Sequence, residues 1–288
     1  VLLPQSVYAE LYRDIYATQK GFCLYGDIMI GYMGRIAYTL FQGTVNASED
    51  SGMAEAYEDQ FSDLGFEVTR LSVGSIYNVG VTWYTPLEGL RSKLYVYQVE
   101  KFSISGVLND PLADYFGFSD VEAETKPSGY SLSAEYSRQN FGFTGELICY
   151  RNRFKRDLGL GYEKLPSIEG VGWYLSAFYR FEDSFEIGYT YAHFIPDTNN
   201  KDGKGTYPSD LYYNQMGIAG QLRMLERDFQ AWLITQTVST RFNLNRNWLM
   251  KFEVSYNDGF GAYTSAENDP QDISRYWFLY AAKVTYTF

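Results

Sequence analysis

Apolar and polar side chains alternate one for one along the last stretch of the chain, 277–288. Phe278, Tyr280, Ala282, Val284, Tyr286 and Phe288 fall on one face, and Leu279, Ala281, Lys283, Thr285 and Thr287 on the other. A period of two is that of a β-strand. An apolar face ending in rings, set against a polar face, is the polarity of a strand with lipid outside and water inside. The stretch before it repeats the pattern, with Trp248, Met250, Phe252, Val254 and Tyr256 opposed to Lys251, Glu253 and Ser255. Segments 22–30, 129–137, 171–181 and 185–193 read the same way.

This alternation predicts eleven strands, near 20–31, 34–45, 76–85, 90–104, 129–137, 140–151, 168–181, 184–195, 230–243, 246–258 and 276–288. Their connections alternate in length. Those at 32–34, 86–89, 138–140, 182–183 and 244–245 are short, and those at 46–76, 105–128, 152–167, 196–229 and 258–274 are long. Short turns at one end and long loops at the other are the asymmetry of an outer-membrane barrel, turns periplasmic and loops outside. The expected fold is therefore all-β, an antiparallel transmembrane β-barrel of the outer-membrane porin type, with 1–288 as a single domain. Eleven is odd, whereas single-chain bacterial barrels have an even number of strands. N-terminal strands are accordingly expected to be missing from this stretch of sequence.

Composition strengthens the reading. The 28 Tyr, 20 Phe and 5 Trp make up 18% of the 288 residues, more rings than a soluble core needs but suited to the two aromatic girdles of a barrel. No segment approaches the roughly 20 consecutive apolar residues of a membrane helix. A net charge of −11, with no basic stripe, argues against a nucleic-acid partner. Cys23 and Cys149, the two cysteines, fall on opposite faces of distant strands, and no disulfide between them is expected.

Several stretches, taken in order, resemble a known family: Leu-Leu-Pro-Gln-Ser-Val-Tyr at 2–8, Tyr-Gly-Asp at 25–27, Trp-Tyr-Thr-Pro-Leu-Glu-Gly-Leu at 83–90, Asn-Trp-Leu-Met-Lys-Phe-Glu at 247–253, Tyr-Asn-Asp-Gly at 256–259 and Trp-Phe-Leu-Tyr-Ala-Ala-Lys-Val at 277–284. The set is similar to proteobacterial outer-membrane porin-like proteins, broadly related to the phosphate-selective porins. The resemblance implies about sixteen strands, of which about five would precede this stretch, and a homotrimer. The basic constriction of phosphate-selective porins has no matching lysine cluster here, so their anion selectivity is not carried over.

Groups positioned for covalent chemistry are scarce. His193 is the single histidine, and alternation places it on the lipid-facing side near the outer rim, as an interfacial ring or, less simply, as the base of a membrane hydrolase. No G-x-S-x-G accompanies it, and no C-x-x-C-H could attach haem. Asp197–Gly203 lacks the spacing of a calcium loop and reads as a turn. No enzyme, cofactor or metal site is expected.

The candidate chemistry is electrostatic. Asp27, Glu135, Glu146, Glu186 and Glu253 face inward, as do Arg35, Arg180, Arg241, Lys251 and Lys283. The signs balance, and such residues either set ion selectivity or pair and hydrate the wall. The 46–76 loop carries Glu49, Asp50, Glu55, Glu58, Asp59 and Asp63 with no base among them, and 53–61 has helical composition. Folded into the lumen, it would be an acidic constriction favouring cations. Outside, it would be a solvated loop bridged by divalent ions to lipopolysaccharide. The region 105–128, with Asp110, Asp114, Asp120, Glu122 and Glu124, has the same two readings. The expected function is passive diffusion of small ions and polar solutes through a water-filled barrel, with a weak cation preference. The alternative is a structural barrel that sheathes or anchors another envelope component.

Overall fold

The computed structural model describes residues 19–60, 65–109, 111, 115, 119–157, 163–182, 184–208, 221–223, 225–263, 268 and 271–287. Asp63, Asp110, Asp114 and Phe288, singled out above, lie outside them, as does the stretch 2–8. In chain order the elements are β1 (Lys20–Met29), β2 (Arg35–Thr44), α1 (Gly52–Gln60), β3 (Phe66–Val73), β4 (Ile76–Tyr84), β5 (Leu90–Val99), β6 (Phe102–Leu108), β7 (Asp120–Thr125), β8 (Ser128–Arg138), β9 (Phe141–Asn152), β10 (Phe154–Asp157), β11 (Glu163–Lys164), β12 (Ile168–Phe181), β13 (Phe185–Ile195), β14 (Thr206–Pro208), β15 (Gln221–Arg223), β16 (Leu233–Asn243), β17 (Trp248–Gly259) and β18 (Tyr276–Tyr286).

Eleven of these strands make one sheet, in the order β1-β2-β4-β5-β8-β9-β12-β13-β16-β17-β18, each antiparallel to its neighbours. They match the eleven expected strands within a few residues at each end, except at the C-terminal end of the one expected over 90–104. The order follows the chain, as an up-and-down barrel wall requires. β1 and β18 are its two edges, each bonded on one side among the described residues. Lipid cannot satisfy an open edge, so closure requires these edges to be joined, directly or through other strands.

The turns explain why the strands reverse where they do. β1 and β2 are linked by a 3-10 turn, Gly31–Met33, closed by the Gly34 N–H donating to the Gly31 carbonyl over 3.3 Å. Gly34 has φ +93, and a Cβ there would lie 2.2 Å from the Tyr84 carbonyl oxygen of β4, so glycine alone fits.

The long connections at one end are more structured than their composition suggested. β3, β6, β7, β10 and β11 form a second sheet in the order β11-β10-β7-β6-β3. Each prolongs a strand of the large sheet: β3 runs into β4, β5 into β6, β7 into β8, β9 into β10 and β11 into β12. Backbone bonds carry the ladder across the junctions, from Glu100 N–H to the Ser75 carbonyl at 2.9 Å, Gly74 to Lys101 at 2.7 Å and Lys126 to Arg153 at 3.1 Å.

The strand expected over 90–104 therefore ends at Val99, and Phe102–Leu108 belongs to the prolongation. Alternation continues through the junction, but its meaning changes. Phe102 and Ile104 are buried with Phe66, Val68 and Leu71 in a cluster of the water-soluble kind. α1 covers that cluster through fully buried Ala54 and through Tyr57. The helix falls at the 53–61 segment expected from composition. The Glu58 carboxylate accepts the Val68 N–H at 2.7 Å and ties α1 to β3. On the opposite face Lys101 is ion-paired with Glu124, whose carboxyl is held below the usual carboxylate range by that hydrogen bond.

Candidate functional site: the inward wall

The register extends from β1 to β18 without a break, so the two faces of the large sheet can be followed strand by strand. On β13, Glu186, Gly188, Thr190, Ala192 and Phe194 are buried, whereas Ile187 and Tyr189 are exposed. Thr190 is 5% exposed and Tyr189 beside it 45%. The face that carries the carboxylate and the hydroxyl is thus enclosed, while the face of Ile187 and Tyr189 is bare.

The outward face is uncharged between its rims. Across β9 to β18 its rings touch in series near the short turns: Phe141 and Tyr179 at 4.6 Å, Tyr179 and Phe181 at 4.6 Å, Phe181 and Phe185 at 5.6 Å, Phe185 and Phe242 at 4.9 Å. A second band lies towards the loops, with Trp173 against Tyr191 at 5.4 Å and Tyr256 against Phe278 at 5.3 Å. The 11 residues of β13, rising about 3.3 Å each and tilted about 40°, cover roughly the 25 Å apolar band of such a wall. Outward charges appear where that band ends. Arg151 meets Glu169 at 2.6 Å, and Arg275 meets Asp258 at 2.7 and 3.0 Å. The sheet is the wall of an outer-membrane β-barrel.

No protein-family model matches the chain, and no curated protein does. Among solved structures, the barrel is similar to the copper transporter OprC (8% identity over 77% of this chain, TM-score 0.39), to OmpT, an outer membrane protein of Vibrio cholerae (9% over 93% of this chain and 76% of that one, TM-score 0.45), and to the NanC porin (9% over 74% and 94%, TM-score 0.34). The chain spans 35% of the length of the copper transporter. Likenesses this distant leave the assignment resting on the chain's own register and side-chain polarity.

All ten charged residues singled out on inward faces lie on one face of the barrel wall. Two more join them. Arg91 and Lys93 stand opposite Glu135 and Ser133 on that face. Both are legible in the alternation Arg-Ser-Lys-Leu-Tyr at 91–95. With them the wall holds seven cations and five carboxylates, so it leans basic where the sequence had suggested balance.

Three of the seven cations are set in cross-strand ion pairs. Arg35 lies 3.6 Å from Asp27 and 4.2 Å over the Tyr84 ring. Arg91 donates to Glu135 through Nε at 3.1 Å and Nη2 at 2.7 Å. Arg180 grips Glu186 in the same way at 3.3 and 3.1 Å. Glu146 accepts from the Tyr174 hydroxyl at 3.1 Å. Between the charged rows runs a band of hydroxyls and amides: Thr190 donates to Ser176 at 2.9 Å, Thr237 and Ser255 meet at 2.8 Å, and Thr235 donates to Asn257 at 2.7 Å. These bonds satisfy hydroxyls and amides that are largely buried in the wall.

At the short-turn end an open groove of about 700 Å³ is bordered by Arg241, Arg246, Asn243, Asn245, Asn247 and Thr285. His193 sits on the outward face against Trp173, ring centres 6.2 Å apart, away from the inward groups. Cys23 and Cys149 are free thiols. No cluster able to hold a metal ion is found among the described residues.

Of the candidate constriction residues, Glu49, Asp50, Glu55 and Asp59 are exposed, and Glu58 is engaged with the β3 backbone.

Proposed function

We propose that the chain forms the wall of a water-filled diffusion channel for small ions and polar solutes, ungated by ligand and without covalent chemistry. The observation that carries this reading is the inward face itself, which gathers twelve charged side chains and a band of hydroxyls behind an outer face that is uncharged between its rims. A wall filled only for packing would gather no such charges. A weak overall cation preference is assigned to the loop-side mouth, through Glu49, Asp50, Glu55 and Asp59. Glu58 contributes less, because its carboxylate is spent on the Val68 N–H.

Single-channel recording of the full-length protein in planar bilayers, with a salt gradient, tests this. Stable conductance steps with a cation-selective reversal potential are expected, and the shift should shrink in the Glu55→Gln/Asp59→Asn variant. An open but anion-selective channel would keep the pore and overturn the loop assignment. Absence of conductance would overturn the channel and favour a barrel that sheathes another envelope component.

A further inference from the structure

The pore wall carries its charges unevenly along its axis. Register places Arg180, Glu186, Arg241, Lys251 and Lys283 directly opposite one another on β12, β13, β16, β17 and β18. They form one lateral row near the short turns. Glu186 is held by Arg180. Arg241 donates to the uncharged Asn243 at 3.2 Å. Arg241, Lys251 and Lys283 therefore stand on three consecutive strands with no carboxylate between them. The nearest inward carboxylate on these strands is Glu253, which faces Ser239 and Ala281 one step closer to the loops.

Cross-strand neighbours are about 5 Å apart. Three such cations fall within one Debye length of about 10 Å at 0.1 M salt, so an ion meets them as a single positive band. Towards the loops the same strands carry Glu253 and then uncharged groups, Ser176, Thr190, Thr237 and Ser255, then Thr235 and Asn257. The loop-side segment between β2 and β3 carries the opposite sign, with Glu49, Asp50, Glu55 and Asp59 exposed.

We propose, resting on the channel reading above, that this opposition of an acidic loop-side mouth and a basic turn-side row makes the pore rectify ionic current. Each mouth concentrates its counter-ion, cations at the loop side and anions at the turn side. When the loop side is positive, both ions enter through the mouth that favours them, and they accumulate in the lumen. When the polarity is reversed, each must enter through the mouth that repels it, and the lumen is depleted.

Current–voltage sweeps on single insertions of the full-length protein in symmetric 0.1 M KCl test this, with sidedness read from an impermeant thiol reagent on Asp202→Cys in a background lacking the two native cysteines. The loop-positive current is expected to exceed the loop-negative current by about twofold, and the ratio to approach one near 1 M salt, where the Debye length is about 3 Å. Lys251→Gln/Lys283→Gln should linearise the sweep while the pore stays open, and Lys251→Arg/Lys283→Arg should preserve rectification. A linear sweep from the parent protein, or rectification of opposite sense, would overturn the proposal and leave the channel standing. Rectification unaltered in the Gln variant would remove it from the row. Absence of conductance would overturn the channel reading and this inference together.

Discussion

Two residues show how locally the wall is specified. Gln139, in the two-residue turn between β8 and β9, has φ +52, a conformation that crowds a Cβ against the backbone. Gln139→Gly should relieve this and raise stability by about 1 kcal/mol or less, since glycine also costs chain entropy. A rise in the urea midpoint of the detergent-folded protein checks it. Gly170 is the converse case. A Cβ there would lie 2.1 Å from the Tyr150 ring, whose hydroxyl donates to the Pro196 carbonyl at 2.9 Å and whose face stacks on Phe194. Gly170→Val should break this arrangement and cost about 1–3 kcal/mol, seen as a lower midpoint in the same titration.

Among the elements, the prolongation sheet should respond to pH independently of the barrel. Glu124 is held below the usual carboxylate range by Lys101. A depressed carboxylate contributes stability above its unfolded pKa, and that contribution is lost as pH falls through its folded pKa. β6 and β7 should therefore become susceptible to pepsin as pH drops below about 4. Glu124→Gln should already be susceptible at higher pH and should show a flatter dependence. Unchanged cleavage in that variant would deny the pair its role.

The strands of the barrel were legible because lipid on one side and water on the other imprint a period of two, as in Phe278 to Tyr286. The prolongation was not, because β6 keeps that same period while turning its apolar side chains into a small core under α1. Periodicity alone does not say which solvent an apolar face meets. The basic row was hidden for a different reason. Lys251 and Lys283 are far apart in sequence, and only register sets them side by side.

At the scale of the whole molecule, the account depends on one inversion: the charged side chains of the strands face inward, and the face towards lipid is uncharged between its rims. That inversion makes a sheet of eleven strands a membrane wall. It also explains how the chain crosses a bilayer with no described helix long and apolar enough to do so. The most direct test is cysteine scanning of β17 in the membrane-inserted protein, in a background lacking Cys23 and Cys149. Positions 249, 251 and 253, half-buried on the inward face, should react with a water-soluble thiol reagent, and positions 250, 252 and 254, once labelled with a fluorophore, should be quenched by brominated lipid. Strict alternation between the two responses is the predicted result. Reagent access at 250, 252 and 254 without lipid quenching would mean that this face meets water or protein, and the account of the chain as a membrane pore would fail.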